Sequence, residues 1–129
     1  MRGYLAMTAT ELAEFITNRT FDVADIYAPT ASFMADNSDL DEEEIEYVLT
    51  MVAAEDALDM RTESSGRPLV LAFELPNALI TEHFDMSVSL ASALSWDQLE
   101  CAFEVSDDGE ELTWFATQEI EQNAQAWMA

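Results

Sequence analysis

Residues 39–60 constrain the fold more than any other stretch, because they predict the longest helix of the chain. Asp39 and Glu42 have the spacing of a capping box, in which two side chains each accept a backbone hydrogen bond at the start of a helix. Asp41, Glu43 and Glu44 also fall in the first turns, where the helix dipole favours negative charge. Helix physics therefore accounts for much of this acidic run.

The uncharged middle of this predicted helix is apolar almost all round. One apolar stripe consists of Ile45, Val48, Leu49 and Val52. A second stripe, on nearly the opposite side, consists of Tyr47, Met51, Ala54 and Leu58. A helix of this kind has apolar side chains on two sides, and both sides must be shielded from water. The second stripe is therefore predicted either to lie in the core or to form the seam of a homodimer.

Apolar and alternating runs predict the strands. Residues 69–75 are almost continuously apolar, which suits a central strand covered on both faces. Residues 99–106 alternate, with Cys101 on the apolar side and Glu100 and Glu104 on an acidic outer face. Further strands are expected at 3–7, 23–28, 86–90 and 112–116, whereas 80–84 suggests a loop or a short helix.

These elements predict an α+β fold with one domain over residues 1–120. We expect a mixed or antiparallel sheet of about five strands, packed against one long helix and one or two short helices. One short helix should follow Thr8, because Glu11 completes a second capping-box spacing. Residues 121–129 are expected to form a C-terminal helical extension or tail.

The charge balance restricts the classes of partner. The chain contains 4 Lys+Arg and 27 Asp+Glu, which gives a formal net charge of -23. All four cationic residues are arginines. Nucleic acids and anionic lipid are bound mainly through clustered cations, so direct nucleic-acid binding and membrane binding are not expected. The same field would speed encounter with a basic protein, although acidity across a whole proteome or simple solubility explains the charge equally well.

The cellular location is predicted from two further features of the sequence. No stretch has the length and apolar character of a membrane span or a signal peptide. The single Cys101 has no partner for an internal disulfide, which agrees with a reducing compartment. We therefore expect a cytoplasmic protein.

Short motifs near both ends and in the main helix resemble those of a known family. They are Met1, Arg2, Tyr4 and Thr8 at the start, Glu44, Ile45, Glu46 and Tyr47 in the helix, and the run from Trp114 to Ile120. This pattern resembles a family of small acidic actinobacterial proteins of unknown function. Gly3 departs from the bulkier residue expected there. The resemblance implies no activity, cofactor or functional residue.

Catalytic and cofactor motifs give weak signals. His83 lies between Glu82 and Asp85, but the spacing matches no helical metal motif, and a surface histidine is the commoner interpretation. The acids around Gly109 lack the spacing of a calcium loop and suit a hairpin turn. We expect no catalytic residue, no cofactor and no metal site.

The leading hypothesis is a non-enzymatic interaction or regulatory protein that engages a basic partner protein. The predicted contacts are Asp41, Glu42, Glu43, Glu44, Glu46, Glu100 and Glu104. A first alternative is a DNA mimic, whose carboxylates would occupy a nucleic-acid-binding protein. A second is a small hydrolase or metal-dependent enzyme that uses His83 with two converging carboxylates.

Overall fold

A computed structural model describes residues 1–128 of the chain. In chain order its elements are β1 (Arg2–Thr8), α1 (Ala9–Asn18), β2 (Thr20–Phe21), β3 (Asp25–Tyr27), α2 (Ala31–Asp36), α3 (Glu42–Asp59), β4 (Pro68–Glu74), β5 (Ile80–His83), β6 (Ser87–Leu90), β7 (Leu94–Ser95), β8 (Leu99–Val105), β9 (Leu112–Ala116) and α4 (Thr117–Met128). Short 3-10 turns at Asn77–Leu79 and Trp96–Gln98 precede β5 and β8. The predicted α+β class is confirmed.

The main sheet has seven strands in the order β5-β6-β3-β1-β4-β8-β9, and each neighbouring pair is antiparallel. A separate ribbon joins β2 to β7. The expected number of about five strands was too low. The main reason is β5, which covers four residues predicted as a loop or a short helix, because so short a strand shows too few alternations to be recognised.

Helices cover both faces of the sheet around its central strand, β4. Leu69, Leu71 and Phe73 face a core that includes residues of α1 and α4. Val70 and Ala72 point the other way, into a second core with α3. The prediction of a strand buried on both faces is confirmed, because residues 68–73 are all buried.

The main helix, α3, begins later than its acidic sequence suggests. Asp41, not Asp39, is the N-cap residue, and its carboxylate accepts from the backbone N–H of Glu44 at 2.9 Å. The Glu44 carboxylate accepts in return from the N–H of Asp41 at 3.1 Å. The pair Asp39 and Glu42 has the same spacing as the pair Asp41 and Glu44. The local sequence pattern therefore does not show which pair forms the capping box. The turn at 37–40 precedes this helix start.

The C-terminal helix α4 packs onto the sheet through two buried side chains, Ile120 and Trp127. The ring of Trp127 meets Phe115 edge-on, with 4.9 Å between the ring centroids. Its backbone carbonyl accepts from the N–H of Arg67 at 2.7 Å. Gly66 allows this approach, because a Cβ at that position would lie 2.4 Å from the Trp127 carbonyl oxygen. Residues 117–128 thus share the core of the remaining chain.

Candidate functional site

The arginines of this acidic chain are engaged in ion pairs within the molecule. The pairs are Arg2 with Glu100, Arg19 with Glu121, Arg61 with Asp107, and Arg67 with both Glu104 and Asp107. Hydrogen bonds from Arg67 and Arg61 hold the pKa of Asp107 below its ordinary value. Since every arginine already has a carboxylate partner, the large excess of negative charge is left for the surface.

Three of the seven predicted contact residues surround one cavity, which we call the Arg2 hollow. Its volume is about 670 Å³. It is lined by Met1, Arg2, Pro29, Met34, Leu40, Glu42, Ile45, Glu46, Glu74 and Glu100. The first turns of α3 supply Glu42 and Glu46, while the start of β8 supplies Glu100. The lining of the hollow therefore combines apolar side chains with four carboxylates.

The remaining predicted contacts lie elsewhere. Asp41 and Glu44 belong to the capping box, and Glu43 is exposed beside them. Glu104 lies apart from this group, where it accepts from Arg67 at 3.0 Å and from the indole N–H of Trp127 at 3.3 Å. Glu100 and Glu104 thus do not form one free acidic strand face, because each is held by a different arginine.

Arg2 lies between the hollow and the buried thiol of Cys101. Its Nε is 3.5 Å from Glu100, and Nη2 donates to the Cys101 sulfur at 3.4 Å. Burial raises the pKa of the Cys101 thiol, and the opposing effect of Arg2 is smaller. A thiol kept protonated in this way is a poor nucleophile. Cys101 is a core residue, as the sequence predicted.

A second cavity, the Tyr27 cleft, opens where two strands diverge. β1 and β3 are paired at one position, Tyr4 opposite Tyr27. The cleft has a volume of about 630 Å³. It is lined by Tyr4, Leu5, Ala6, Glu11, Phe21, Asp22, Val23, Asp25, Ile26, Tyr27, Asp56, Asp59, Met60 and Ser87. Single-position pairing leaves the space between β1 and the chain before β3 unfilled.

The phenol of Tyr27 donates a hydrogen bond to Oδ2 of Asp56, which joins the wall formed by β3 to the last turn of α3. Burial and this carboxylate raise the pKa of Tyr27 to about 12. Asp56 and Asp59 lie at the C-terminal end of α3, and the last turn contains no basic residue. Carboxylates are disfavoured there, because the helix dipole is negative at that end.

The sequence does not predict the Tyr27 cleft. Its walls come from β1, the segment before β3, and α3, which are far apart in the chain. The available signal was the pair Asp56 and Asp59 in the last turn of the predicted helix, where acids oppose the dipole. Among the lining residues that the structure describes, five carry carboxylates and none is basic.

His83 lies at the end of β5 and is exposed. The hollow beside it, of about 440 Å³, is lined by Thr30, Ser32, His83, Phe84 and Asp85. Asp85 is the one carboxylate in that lining. Within residues 1–128, no three His, Cys, Asp or Glu side chains lie close enough to hold a metal ion.

The second apolar stripe of α3 is divided between core and surface. Ala54 is buried, Met51 and Leu58 are half-buried, and Tyr47 is 60% exposed. A Cβ at Gly109 would meet the Leu58 side chain, which places this part of the stripe beside the β8–β9 hairpin. On the edge strand β9, Trp114 is 57% exposed. The stripe is therefore partly available to another molecule.

Comparison with protein-family models identifies the family of the chain. The family model described as "Family of unknown function (DUF6912)" matches residues 1–109. Neither the curated proteins nor the solved structures contain a significant match. Among residues 1–128, no helix is both long enough and apolar enough to cross a bilayer.

Proposed function

The chain belongs to this family of unknown function (DUF6912), and from its geometry we propose that it is a non-enzymatic interaction or regulatory protein that binds a basic partner protein. The observation that carries the proposal is the engagement of all four arginines in internal ion pairs. This arrangement leaves a surface whose net negative charge is not balanced locally. Such a surface attracts basic patches and repels phosphate backbones.

The Arg2 hollow is the proposed contact region, together with the exposed acids at the start of α3. Interfaces are held mainly by apolar anchors in pockets, while surrounding charges set specificity and the rate of encounter. The hollow supplies both features, because Met34 and Leu40 lie beside Glu42 and Glu46. A partner with an apolar side chain inside a basic patch would match this combination.

The proposal includes a cytoplasmic location, which the lone reduced Cys101 supports. An actinobacterial source and a homodimer through Tyr47, Met51 and Leu58 remain predictions from the sequence. The DNA-mimic hypothesis is a narrower form of the same proposal. It requires that the captured partner bind nucleic acid at the surface that the carboxylates cover.

The proposal is tested with two triple variants of equal charge. One removes charge at the hollow (Glu42→Gln, Glu46→Gln, Glu100→Gln), and the other removes it at exposed positions elsewhere (Glu55→Gln, Glu63→Gln, Glu110→Gln). Immobilised wild type and both variants are used to capture proteins from native lysate at about 0.15 M salt, where charges beyond about 8 Å are screened. Captured proteins are then identified and quantified by mass spectrometry.

We expect a basic protein to be retained by the wild type and by the control variant, and to be lost from the hollow variant. Urea denaturation of all three proteins verifies that folding is preserved. Equal loss from both variants would show that bulk charge alone is responsible and would reject the hollow as a contact. Capture of no specific protein by the wild type would reject the proposed function itself.

A further inference from the structure

We propose that the Tyr27 cleft receives the side chain of an arginine carried by the basic partner. This inference rests on the proposed function and identifies a second contact point, separate from the Arg2 hollow. Three features support it: the apolar lining of the cleft, the carboxylates around it, and the internal partners of the chain's own arginines.

The apolar residues that line the cleft suit the aliphatic part of a long side chain. Leu5, Ala6, Val23 and Met60 supply apolar surface, and each is at least partly exposed. Arginine buries its methylene groups along such surface while its charged end stays near polar groups. The space of about 630 Å³ is large enough for one such side chain with adjoining backbone.

The charges around the cleft favour a cation. Asp56 and Asp59 lie at the negative end of the 18-residue helix α3, where they oppose the dipole, and Asp22 and Asp25, which also line the cleft, are exposed. No Lys, Arg or His is found among the described residues that line the cleft. A bound cation would offset both the carboxylates and the helix dipole, which no basic group among the described lining residues does.

The local geometry favours arginine over lysine. Tyr27 donates to Oδ2 of Asp56 and so fixes the orientation of this carboxylate. Within the part of the chain that the structure describes, Oδ1 of Asp56 accepts no hydrogen bond and can accept one from a guanidinium. The aromatic rings of Phe21 and Tyr27 also line the cleft. A planar guanidinium stacks on such rings and makes oriented hydrogen bonds, whereas an ammonium acts as a point charge.

A second copy of this chain is a poor source for the arginine. Each of its four arginines is engaged with its own carboxylates, and three of those pairs have N–O distances of 2.7 Å. Two chains that each carry a formal charge of -23 also repel each other. The occupant is therefore an arginine-bearing segment of a different, basic protein.

The test compares three short peptides that differ only in the central residue. This residue is arginine, lysine or citrulline, the neutral isostere of arginine. Binding to the wild type is followed by NMR titration of the backbone amides. The variant Asp56→Asn is compared with Glu55→Gln, which removes the same charge from the adjacent, exposed position of α3. Asparagine can still accept from Tyr27, so the variant preserves that contact.

We expect the arginine peptide to shift the amides of Leu5, Ala6 and Tyr27, with the lysine peptide weaker and the citrulline peptide without effect. Asp56→Asn should weaken arginine binding by about 10- to 100-fold, because it removes a charged hydrogen-bond acceptor. Glu55→Gln should change the affinity by less than about fivefold, the upper limit for an exposed charge pair.

Equal effects of the two variants, or shifts outside the cleft, would overturn the inference, because binding would then depend on overall charge. Failure of the arginine peptide to bind, with capture of a basic protein in the preceding test preserved, would reject the cleft and leave the proposed function intact. Failure of both experiments would reject both proposals.

Discussion

The Asp41 side chain closes the first turn of α3 and is the clearest case of one residue that determines where an element begins. Its carboxylate satisfies the N–H of Glu44, one of the backbone donors that an α-helix leaves without an internal partner. Asp39 has the same chemistry and lies two residues earlier, but the chain there belongs to the turn that precedes α3. Position relative to the helix decides the role, not residue type.

Asp41→Ala should therefore lower the free energy of unfolding by about 1 kcal/mol, the usual loss for an N-cap. Asp39→Ala should leave it nearly unchanged, because an exposed residue outside the cap makes no such contact. Urea denaturation of the two variants measures the difference. A larger loss for Asp39→Ala would place the cap at Asp39.

The phenol of Tyr27 provides a prediction for alkaline pH. Its pKa is raised from 10.0 to about 12 by burial and by the Asp56 carboxylate. Because the folded-state pKa lies above the unfolded value, the stabilisation from Tyr27 is complete below pH 10 and is lost as the pH rises towards 12. Tyr27→Phe should remove this part of the pH dependence.

Asp56→Asn should lower the pKa of Tyr27 towards its ordinary value, because it removes the charged acceptor. The measurement is the ultraviolet absorbance of phenolate during a pH titration, with Tyr27→Phe used to identify the contribution of this residue. Glu55→Gln is the control and should leave the titration of Tyr27 in place. An unchanged titration in Asp56→Asn would show that burial alone raises the pKa.

Among the elements, α4 shows how a segment at one end of the chain becomes part of the core. Trp127 is 3% exposed, meets Phe115, and hydrogen-bonds to Glu104 on β8. The last turn of α4 thereby connects to two strands at one end of the sheet. Burial of one large ring outweighs the polar composition of the rest of this helix.

Trp127→Ala should reduce the free energy of unfolding by about 3 to 5 kcal/mol, because it removes a large buried ring and leaves a cavity. Gln125→Ala, at an exposed position of the same helix, should change it by less than about 0.5 kcal/mol. Chemical denaturation of both variants separates packing from helix propensity. A loss below about 1 kcal/mol for Trp127→Ala would show that α4 is only loosely attached.

At the scale of the whole molecule, repulsion among the many carboxylates opposes the compact state. The four arginines form local ion pairs, but the formal net charge of -23 remains. Added salt weakens the attraction within the ion pairs, and it also weakens the repulsion among the other carboxylates. Repulsion involves many more groups, so its reduction should dominate.

The midpoint of thermal unfolding should therefore rise between about 0.01 M and about 1 M NaCl, as the Debye length falls from about 30 Å to about 3 Å. A variant with Glu43, Glu55, Glu63 and Glu110 changed to Gln should show a smaller rise, because it carries less negative charge. Scanning calorimetry measures both. A midpoint that is constant or falls with salt would contradict the expectation.

The sequence by itself determined the features that depend on neighbouring residues. Alternation and continuous apolarity predicted β8 and β4, the spacing of Thr8 and Glu11 predicted the start of α1, and the composition determined the formal net charge of -23. These signals are local, because strand periodicity and helix capping act over a few residues. They fixed the α+β class and gave three of the residues around the Arg2 hollow, Glu42, Glu46 and Glu100.

Only the tertiary structure decided features that join distant segments. The Tyr27 cleft exists because β1 and β3 are paired at a single position, and its contact from Tyr27 to Asp56 spans 29 residues. The strand β5, the separation of Glu100 from Glu104, and the engagement of each arginine also depend on which segments meet. Such contacts follow from the packing of the whole chain, and no local pattern records them.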